Sequence, residues 1–277
     1  MNCAWNELLA VIPLWLRDPV DKQGRDSLQE IRLRLGMAPM LIKKEGRIVL
    51  EGIVDLKDLQ YVINMASRYS PWTVSSVAQG YITATGGHRI GMCGDALIRN
   101  GTMAGIGNVT SVNIRVARDF PGISGNLWLR KGSILLLGPP GSGKTTLLRD
   151  LIRARSRQET VAVVDERGEI FPPGASFFAG DNTDIITGCP KGKGIETLLR
   201  VMGPECIAVD EITAEEDCAA LIQAGKCGVS LLATAHAASV SDLKNRPIYG
   251  KLIESKLFES VVILQMDKSW RTERMIL

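Results

Sequence analysis

Histidine is scarce in this chain of 277 residues, and cysteine has no regular spacing. Only His88 and His236 occur, and the six cysteines include no C-x-x-C pair. A structural zinc site is therefore not expected. Scattered thiols also argue against a secreted disulfide framework and favour a reducing, cytoplasmic compartment. A net charge of +3 is too small to indicate a nucleic-acid partner by itself.

Long apolar runs are also absent. The N-terminal stretch LLAVIPLWL, residues 8–16, is interrupted by Pro13 and falls short of the roughly 20 apolar residues that span a bilayer. It has no basic stretch before it and no small-residue cleavage site after it, so we expect no signal peptide. We predict a helix packed on its own domain, with a membrane-surface helix as the alternative. The composition predicts an ordinary soluble protein of one or two domains.

One glycine-rich segment carries the clearest chemistry. It follows a short apolar strand, Ile134–Leu137, and precedes a predicted helix. Its spacing is that of a P-loop, G-x-x-x-x-G-K-[ST], in which backbone N–H groups surround phosphate oxygens. Lys144 is expected to reach the β- and γ-phosphates, and Thr145 to offer its hydroxyl to Mg²⁺. The residues predicted to bind the nucleotide are Gly138, Pro139, Pro140, Gly141, Ser142, Gly143, Lys144, Thr145 and Thr146.

Residues 1–118 predict a small α+β domain without a catalytic motif. A hairpin is expected around Gly86-Gly87, and a helix begins at Asp55. Further strands are predicted at Glu30–Gly36, Met40–Lys43, Arg47–Leu50 and Val112–Val116. Residues 119–131, rich in glycine and proline, are predicted to form a linker.

From residue 132 to 277 strands and helices alternate. This pattern predicts an α/β domain whose mostly parallel sheet is covered by helices on both faces. The predicted strands are Ile134–Leu137, Val161–Val164, Cys206–Val209, Ser230–Ala233 and Val261–Gln265, with a possible edge strand at Arg274–Leu277. Ligands of such sheets bind at the C-terminal ends of the strands.

Acidic and polar residues stand at those strand ends. After CIAV, Asp210 is expected to order Mg²⁺ through Thr145 or a water, and Glu211 to activate the attacking water. The alternative is that both acids only begin the next helix. The second strand ends in VVDERGEI, which adds Asp165, Glu166 and Glu169, and the fourth in LLATAH, which adds Thr234 and His236.

The order of four segments resembles that of secretion-superfamily ATPases. These segments are the P-loop, the acidic segment Val164–Ile170, the strand ending in Asp210-Glu211 and the TAH segment. These ATPases serve type II and type IV secretion and pilus retraction. Their acidic box, I-E-D-x-x-E-L, falls on residues 164–170 with the acids at its second and third places exchanged. The choice between Glu211 and Glu169 as general base therefore stays open.

Over nearly its whole length the chain also resembles the stage III sporulation protein AA family, in segments such as EIRLRLG, GGHRIG and VDERGEI. That resemblance implies a RecA-like ATPase core after a smaller, PAS-like domain, with ATP and Mg²⁺ as cofactors. It further implies a hexameric motor that docks onto membrane-embedded components of the channel between mother cell and forespore. His236 and Lys144 would act in hydrolysis. The candidates for an arginine supplied by the front domain or a neighbouring subunit are Arg89, Arg115, Arg118 and, on sequence alone, Arg200.

Two other functions remain as alternatives. The first is a nucleic-acid-binding translocase that uses the GGHRIG hairpin and the basic strand Arg32–Arg34. The second is a P-loop scaffold that binds nucleotide and hydrolyses it negligibly. Because the hydrolytic motifs are intact, we favour the motor and expect no nucleic-acid partner.

Overall fold

The computed structural model describes residues 1–67, 80–172, 174–175 and 177–275. The chain divides into two compact units. The first contains Met1–Asp119 and the short segment Pro172–Phe177, and the second contains Phe120–Phe171 and Phe178–Leu277. Residues 120–131, which the sequence suggests as a linker, belong to the second unit.

The first unit is an antiparallel sheet with helices packed against it. Its helices are α1 (Trp5–Val11), α2 (Leu14–Lys22) and α3 (Leu56–Ser67). Its strands are β1 (Leu28–Arg34), β2 (Met40–Lys43), β3 (Gly46–Val49), β4 (Tyr81–Thr83), β5 (Arg89–Arg99) and β6 (Thr102–Arg115). They lie in the order β3-β2-β1-β6-β5-β4, and every pair is antiparallel.

The N-terminal apolar stretch forms part of this unit's core. Pro13 separates α1 from α2, and Leu8, Ile12 and Leu16 are fully buried. The prediction of a helix packed on its own domain is therefore confirmed, with a break at the proline. Within the described ranges, no helix is long and apolar enough to cross a membrane.

The predicted hairpin at Gly86-Gly87 joins β4 to β5 through a short 3₁₀ turn. His88 beside it is completely buried: its Nδ1 accepts the Ala117 N–H, and its Nε2 lies 2.8 Å from the Ala4 carbonyl oxygen. Because Nδ1 is the acceptor, Nε2 carries the proton and donates it to that carbonyl. Burial lowers the pKa of His88, so the neutral ring is favoured in this structural position.

The predicted strand Val112–Val116 was much too short. In the structure β6 has 14 residues and pairs with nearly the whole of the 11-residue β5. Most residues beyond Gly94 on β5 are exposed on both faces, and the ladder is irregular at Gly94. The segment of β6 before Val112 is mostly exposed and has no regular alternation of buried and exposed residues, so sequence periodicity did not reveal this part of the strand.

The second unit has a seven-stranded sheet in the order β13-β12-β7-β11-β10-β8-β9. Its strands are β7 (Ser133–Leu137), β8 (Val161–Asp165), β9 (Thr183–Thr187), β10 (Cys206–Val209), β11 (Ser230–Ala235), β12 (Phe258–Leu264) and β13 (Trp270–Arg274). Its helices are α4 (Lys144–Arg155), α5 (Lys191–Val201), α6 (Glu215–Lys226), α7 (Val240–Lys244) and α8 (Gly250–Glu254). Only β13 runs antiparallel to its neighbour, which confirms the mostly parallel sheet.

The predicted strands differ from the observed ones at the edges of this sheet. The edge strand β13 lies at Trp270–Arg274 rather than Arg274–Leu277, of which 276 and 277 fall outside the described residues. On the opposite edge β9 was missed altogether, because three of its five residues are exposed and none is buried. The central strands are fully buried, and their continuous apolar runs made them predictable.

The register of the parallel strands brings the predicted functional residues to one edge. Val209 of β10 lies opposite Val164 of β8 and Ala233 of β11, so the next residues, Asp210, Asp165 and Thr234, follow side by side. Strand β7 lies on the other side of β11 and leads into the P-loop. Polar and charged residues at the C-terminal ends of four strands therefore lie at the same edge of the sheet.

The C-terminal half of α4 holds residues 120–132. The Asp150 carboxylate accepts the N–H groups of Gly122 and Ser124, both at 2.8 Å, and pairs with Arg153 at 2.9 Å. Burial opposes ionisation of Asp150, but these donors outweigh it and keep its pKa below the usual 3.8. Arg155 also donates to the carbonyl oxygens of residues 130 and 132. The P-loop helix thus fixes the segment that enters the second unit.

We predict that Asp150→Asn lowers the free energy of unfolding by about 2–3 kcal/mol at neutral pH. The amide keeps only one of the two oxygens that accept hydrogen bonds, and Arg153 stays buried without the negative charge of Asp150. Because folding lowers the pKa of Asp150, the extra stability of the wild type over the variant is fully present above pH 3.8. It is lost as the pH falls through the pKa of the folded state. Urea unfolding across this range, beside the exposed control Asp181→Asn, measures it. A deficit that persists unchanged below the folded pKa would contradict this account.

Candidate nucleotide-binding site

The P-loop lies between the end of β7 and the start of α4. Gly141 and Gly143 have φ angles of 76° and 101°, where any residue with a side chain is strained. Gly143 is the N-cap of α4, so the N–H groups of the first helical turn face this loop. The Ser142 hydroxyl is buried and has no hydrogen-bond partner among the described residues. Each feature fits an anion with several acceptor oxygens.

The Lys144 ammonium is held by the loop that it follows. It donates to the carbonyl oxygens of Gly138 at 2.8 Å and Pro139 at 3.1 Å, and lies 3.1 Å from Nδ1 of His236. Burial lowers the pKa of Lys144, while the charges of Asp210 and Glu211 act in the opposite direction. A phosphate that binds here replaces neutral acceptors with a charged one, so transfer of the ammonium to it is electrostatically favourable.

Asp210 is the junction between the P-loop and the strand ends. Its Oδ2 accepts the Thr145 hydroxyl at 2.6 Å, and its Oδ1 accepts the Thr234 hydroxyl at 2.5 Å. The same Thr234 oxygen accepts the Glu211 N–H at 2.8 Å. The contact between Thr145 and Asp210 is the one that the sequence predicts. Thr234 links the end of β11 to the residues that follow β10.

Glu211 has an unusual backbone conformation, and its carboxylate lies between the side chains of His236 and Arg167. Its φ angle is 50°, a left-handed value that is uncommon for a residue with a long side chain. Its carboxylate lies 3.1 Å from His236 Nε2 and 2.9 Å from Arg167. Because Lys144 has only donors, His236 Nδ1 accepts from it and Nε2–H donates to Glu211. A continuous chain of contacts therefore runs from the P-loop lysine to Glu211.

The three acids that follow β8 have different surroundings. Asp165 is buried, and its carboxylate accepts the N–H groups of Glu169, Ile170 and Phe171 at 2.8–3.0 Å. Burial, outweighing these hydrogen bonds, raises the pKa of Asp165. Arg149 of α4 holds the same turn from the other side by donating to the carbonyl oxygens of residues 169 and 170. Asp165 therefore shapes the turn that carries Glu169.

Glu166 turns toward a buried lysine that the sequence did not single out. The Lys191 ammonium lies 2.5 Å from Glu166 Oε2 and 3.7 Å from Asp217 Oδ2. This lysine also lines a narrow cleft at the strand edge. The lining residues are Asp165, Glu166, Arg167, Glu169, Lys191, Asp210 and Glu211.

The predicted arginines fall in different places. Arg200 lies in the last turn of α5 and is exposed. The other three belong to the first unit. Arg89 lies over the Tyr81 ring at 4.0 Å, Arg115 is 63% exposed in its side chain and 3.5 Å from Glu30, and Arg118 donates to the carbonyl oxygens of residues 25 and 26. Their action on nucleotide stays a prediction.

The residues present fit a nucleotide with Mg²⁺. Mg²⁺ keeps several of its waters and takes one or two oxygen ligands from a protein, which Asp210 and Thr145 supply at hydrogen-bond distance from each other. Within the described residues, no group of three or more His, Cys, Asp or Glu side chains is arranged to hold a metal ion. A cation held jointly with phosphate oxygens suits this donor set.

Sequence reasoning missed Lys191, Arg149 and the pairing of Arg167 with Glu211. One signal for Lys191 was present: a lysine in the first turn of a helix is unfavourable beside the helix dipole, so another constraint had to hold it there. Arg149 and Arg167 had no such signal, because contacts between residues some 20 and 44 positions apart leave no local pattern.

Comparison with known proteins extends these observations. A model of the family described as "Sporulation stage III, protein AA" matches residues 6–276. The stage III sporulation protein AA of Bacillus subtilis (strain 168) is 34% identical over 286 residues, covering 95% of this chain and 92% of that protein.

Two solved structures, an ATPase and a pilus retraction motor, share the fold. The Legionella pneumophila ATPase DotB has a TM-score of 0.63 at 16% identity, covering 95% of this chain and 80% of that chain. The pilus retraction motor PilT with bound ADP has a TM-score of 0.61 at 14% identity, covering 90% and 77%. The fold class is thereby confirmed as a RecA-like α/β core preceded by a smaller domain.

We predict that Asp165→Asn acts on stability, because an amide retains only one of the two oxygens that accept the three N–H groups. The free energy of unfolding should fall by about 1–3 kcal/mol. Urea unfolding measures this effect, with Asp184→Asn on the exposed face of β9 as the matched control. Wild-type stability in Asp165→Asn would show that the carboxylate does not hold the turn.

Proposed function

Because the chain belongs to the sporulation stage III protein AA family, we propose that it is an ATP-hydrolysing motor of the secretion type. In this proposal it works in the cytoplasm and is peripherally attached to membrane-embedded components of the channel between mother cell and forespore. The fold supports the motor, since a RecA-like core of this kind is shared with DotB and PilT. The stated partners and location rest on the family resemblance.

The observation that carries the proposal is the junction at Asp210. One carboxylate joins Thr145 of the P-loop helix to Thr234 of β11, and Glu211 follows it directly. A scaffold that only binds nucleotide needs the P-loop, but it does not need a second acid held beside a histidine and an arginine. This arrangement favours hydrolysis over the non-hydrolysing alternative.

Each residue has a separate task in the proposed reaction. The P-loop N–H groups and Lys144 bind the phosphates of ATP, and Thr145 with Asp210 orders Mg²⁺. Bound Mg²⁺ neutralises charge that develops on the phosphate oxygens. His236 orients Glu211 through its Nε2–H, and Glu211 accepts a proton from the attacking water.

Glu211 is the better candidate for the general base, and Glu169 a supporting acid. The Glu211 carboxylate is paired with side chains, Arg167 and His236, which can move when phosphate arrives. Glu169 is carried by a turn that Asp165 and Arg149 hold through its backbone. Glu166 is engaged by Lys191.

We further propose that six chains form a ring and that an arginine of the first unit completes each site. Arg115 is the first choice of the three, because it is exposed whereas Arg89 and Arg118 are half-buried, and because its ion pair with Glu30 is long, at 3.5 Å. Arg118 is less suited, because it is engaged with backbone carbonyl oxygens and burial lowers its pKa. Arg89 remains the second candidate.

Two variants test the site itself. Lys144→Ala should abolish both ATP binding and hydrolysis, because the P-loop loses its only charged phosphate contact. Glu211→Gln should retain ATP binding within about twofold while hydrolysis falls at least about 100-fold, as removal of a general base predicts. Binding is measured by fluorescence of a labelled nucleotide and hydrolysis by phosphate release.

The exposed Lys131→Ala serves as the matched control and should behave as wild type. Turnover that survives Lys144→Ala would refute the assignment. Equal loss of binding and hydrolysis in Glu211→Gln would instead remove Glu211 from the role of base.

A further inference from the structure

Lys191 is buried beside the cleft, and it has no role in the proposed reaction as described so far. Lys191 opens α5, and its side chain is only 6% exposed. Its ammonium lies 2.5 Å from Glu166 and 3.7 Å from Asp217. The side chains of these two acids are 35% and 10% exposed, so the lysine is the most enclosed member of the group.

Burial of an ammonium group is costly, and packing alone does not require it. A methionine, which is of similar length, fills much of the same space without the loss of hydration. The cleft supplies a reason for the charge, since it is lined by five carboxylates and, besides Lys191, only one other cation, Arg167. Without Lys191, Glu166 would face the remaining acids with no opposite charge at contact distance among the described residues.

One partner of Lys191, Glu166, lies in the loop after β8, and the other, Asp217 in the first turn of α6, holds the loop after β10 that carries Glu211. Asp217 accepts the N–H groups of Thr213 and Ala214, at 3.0 and 3.2 Å, and so holds the end of the loop that starts with Asp210 and Glu211. Glu166 stands next to Asp165, whose carboxylate shapes the turn leading to Glu169. A single ammonium therefore joins the loop after β8 to the loop after β10.

We propose that Lys191 is a positioning residue for hydrolysis, which sets the acidic loop after β8 against the loop that carries Glu211. It does so by drawing Glu166 away from the metal-ordering carboxylate of Asp210 and toward the start of α6. This proposal rests on the proposed ATPase activity. Among the described residues Lys191 forms ion pairs with Glu166 and Asp217 and none with the P-loop, so we expect nucleotide binding to be independent of it.

The test compares Lys191→Met, Lys191→Arg and the matched control Lys193→Met, an exposed lysine of the same helical turn. In Lys191→Met we expect kcat to fall at least about tenfold, while the Kd for labelled nucleotide stays within about twofold. Lys191→Arg keeps the charge and should recover most of the rate, and Lys193→Met should match wild type.

A second variant separates positioning from mere charge balance. Lys191→Met with Glu166→Gln removes the carboxylate that the single variant leaves without its cation. If the single variant unfolds, the double variant should restore folding, as followed by the melting temperature. The proposal expects this double variant to bind nucleotide and remain slow. A double variant, or a single one, that turns over at the wild-type rate overturns the proposal.

The outcome for wild type keeps the two proposals apart. If wild-type protein binds nucleotide but hydrolyses none under any condition in which it assembles, the proposed ATPase function fails. If wild type hydrolyses ATP and Lys191→Met does so equally well, only the role of Lys191 fails. If Lys191→Met loses nucleotide affinity together with rate while its melting temperature is unchanged, Lys191 acts in binding and the positioning role is wrong.

Discussion

The double hydrogen bond of Asp210 is the interaction on which the site depends. Its two oxygens accept the hydroxyls of Thr145 and Thr234, which belong to the P-loop helix and to β11. These partners are brought together only because β7, β11, β10 and β8 are neighbouring parallel strands with matched register. The buried sheet therefore does more than stabilise the unit: it places the residues proposed to bind phosphate and metal at one edge.

Around Asp210, the partners of each carboxylate determine which acids could accept a proton in the proposed hydrolysis. Three carboxylates lie at and just after the end of β8, but the Asp165 carboxylate accepts backbone N–H groups and Glu166 pairs with Lys191. Glu211 instead faces His236 and Arg167, whose side chains can change partners. A cluster of five acids around one cleft is tolerated because hydrogen-bond donors or cations contact Asp165, Glu166, Asp210 and Glu211 directly.

The sequence alone predicted what is local or deeply buried. The P-loop spacing, the apolar strands of the central sheet and the acids after them all leave short patterns, so the RecA-like core and the meeting of Thr145 with Asp210 could be anticipated. The part of β6 before Val112 and the edge strand β9 were missed, because neither has a continuously buried face. Lys191 and Arg149 were missed because their partners are distant in sequence and known only from the fold.

The central claim, that chains complete one another's nucleotide sites, is tested most directly by measuring the ATPase rate per chain against protein concentration, with mass followed by light scattering in the presence of ATP. If sites are completed between subunits, the rate per chain climbs together with the appearance of hexamers. A rate per chain that is substantial and constant from monomer to hexamer would show that each chain hydrolyses ATP alone, and would contradict the account.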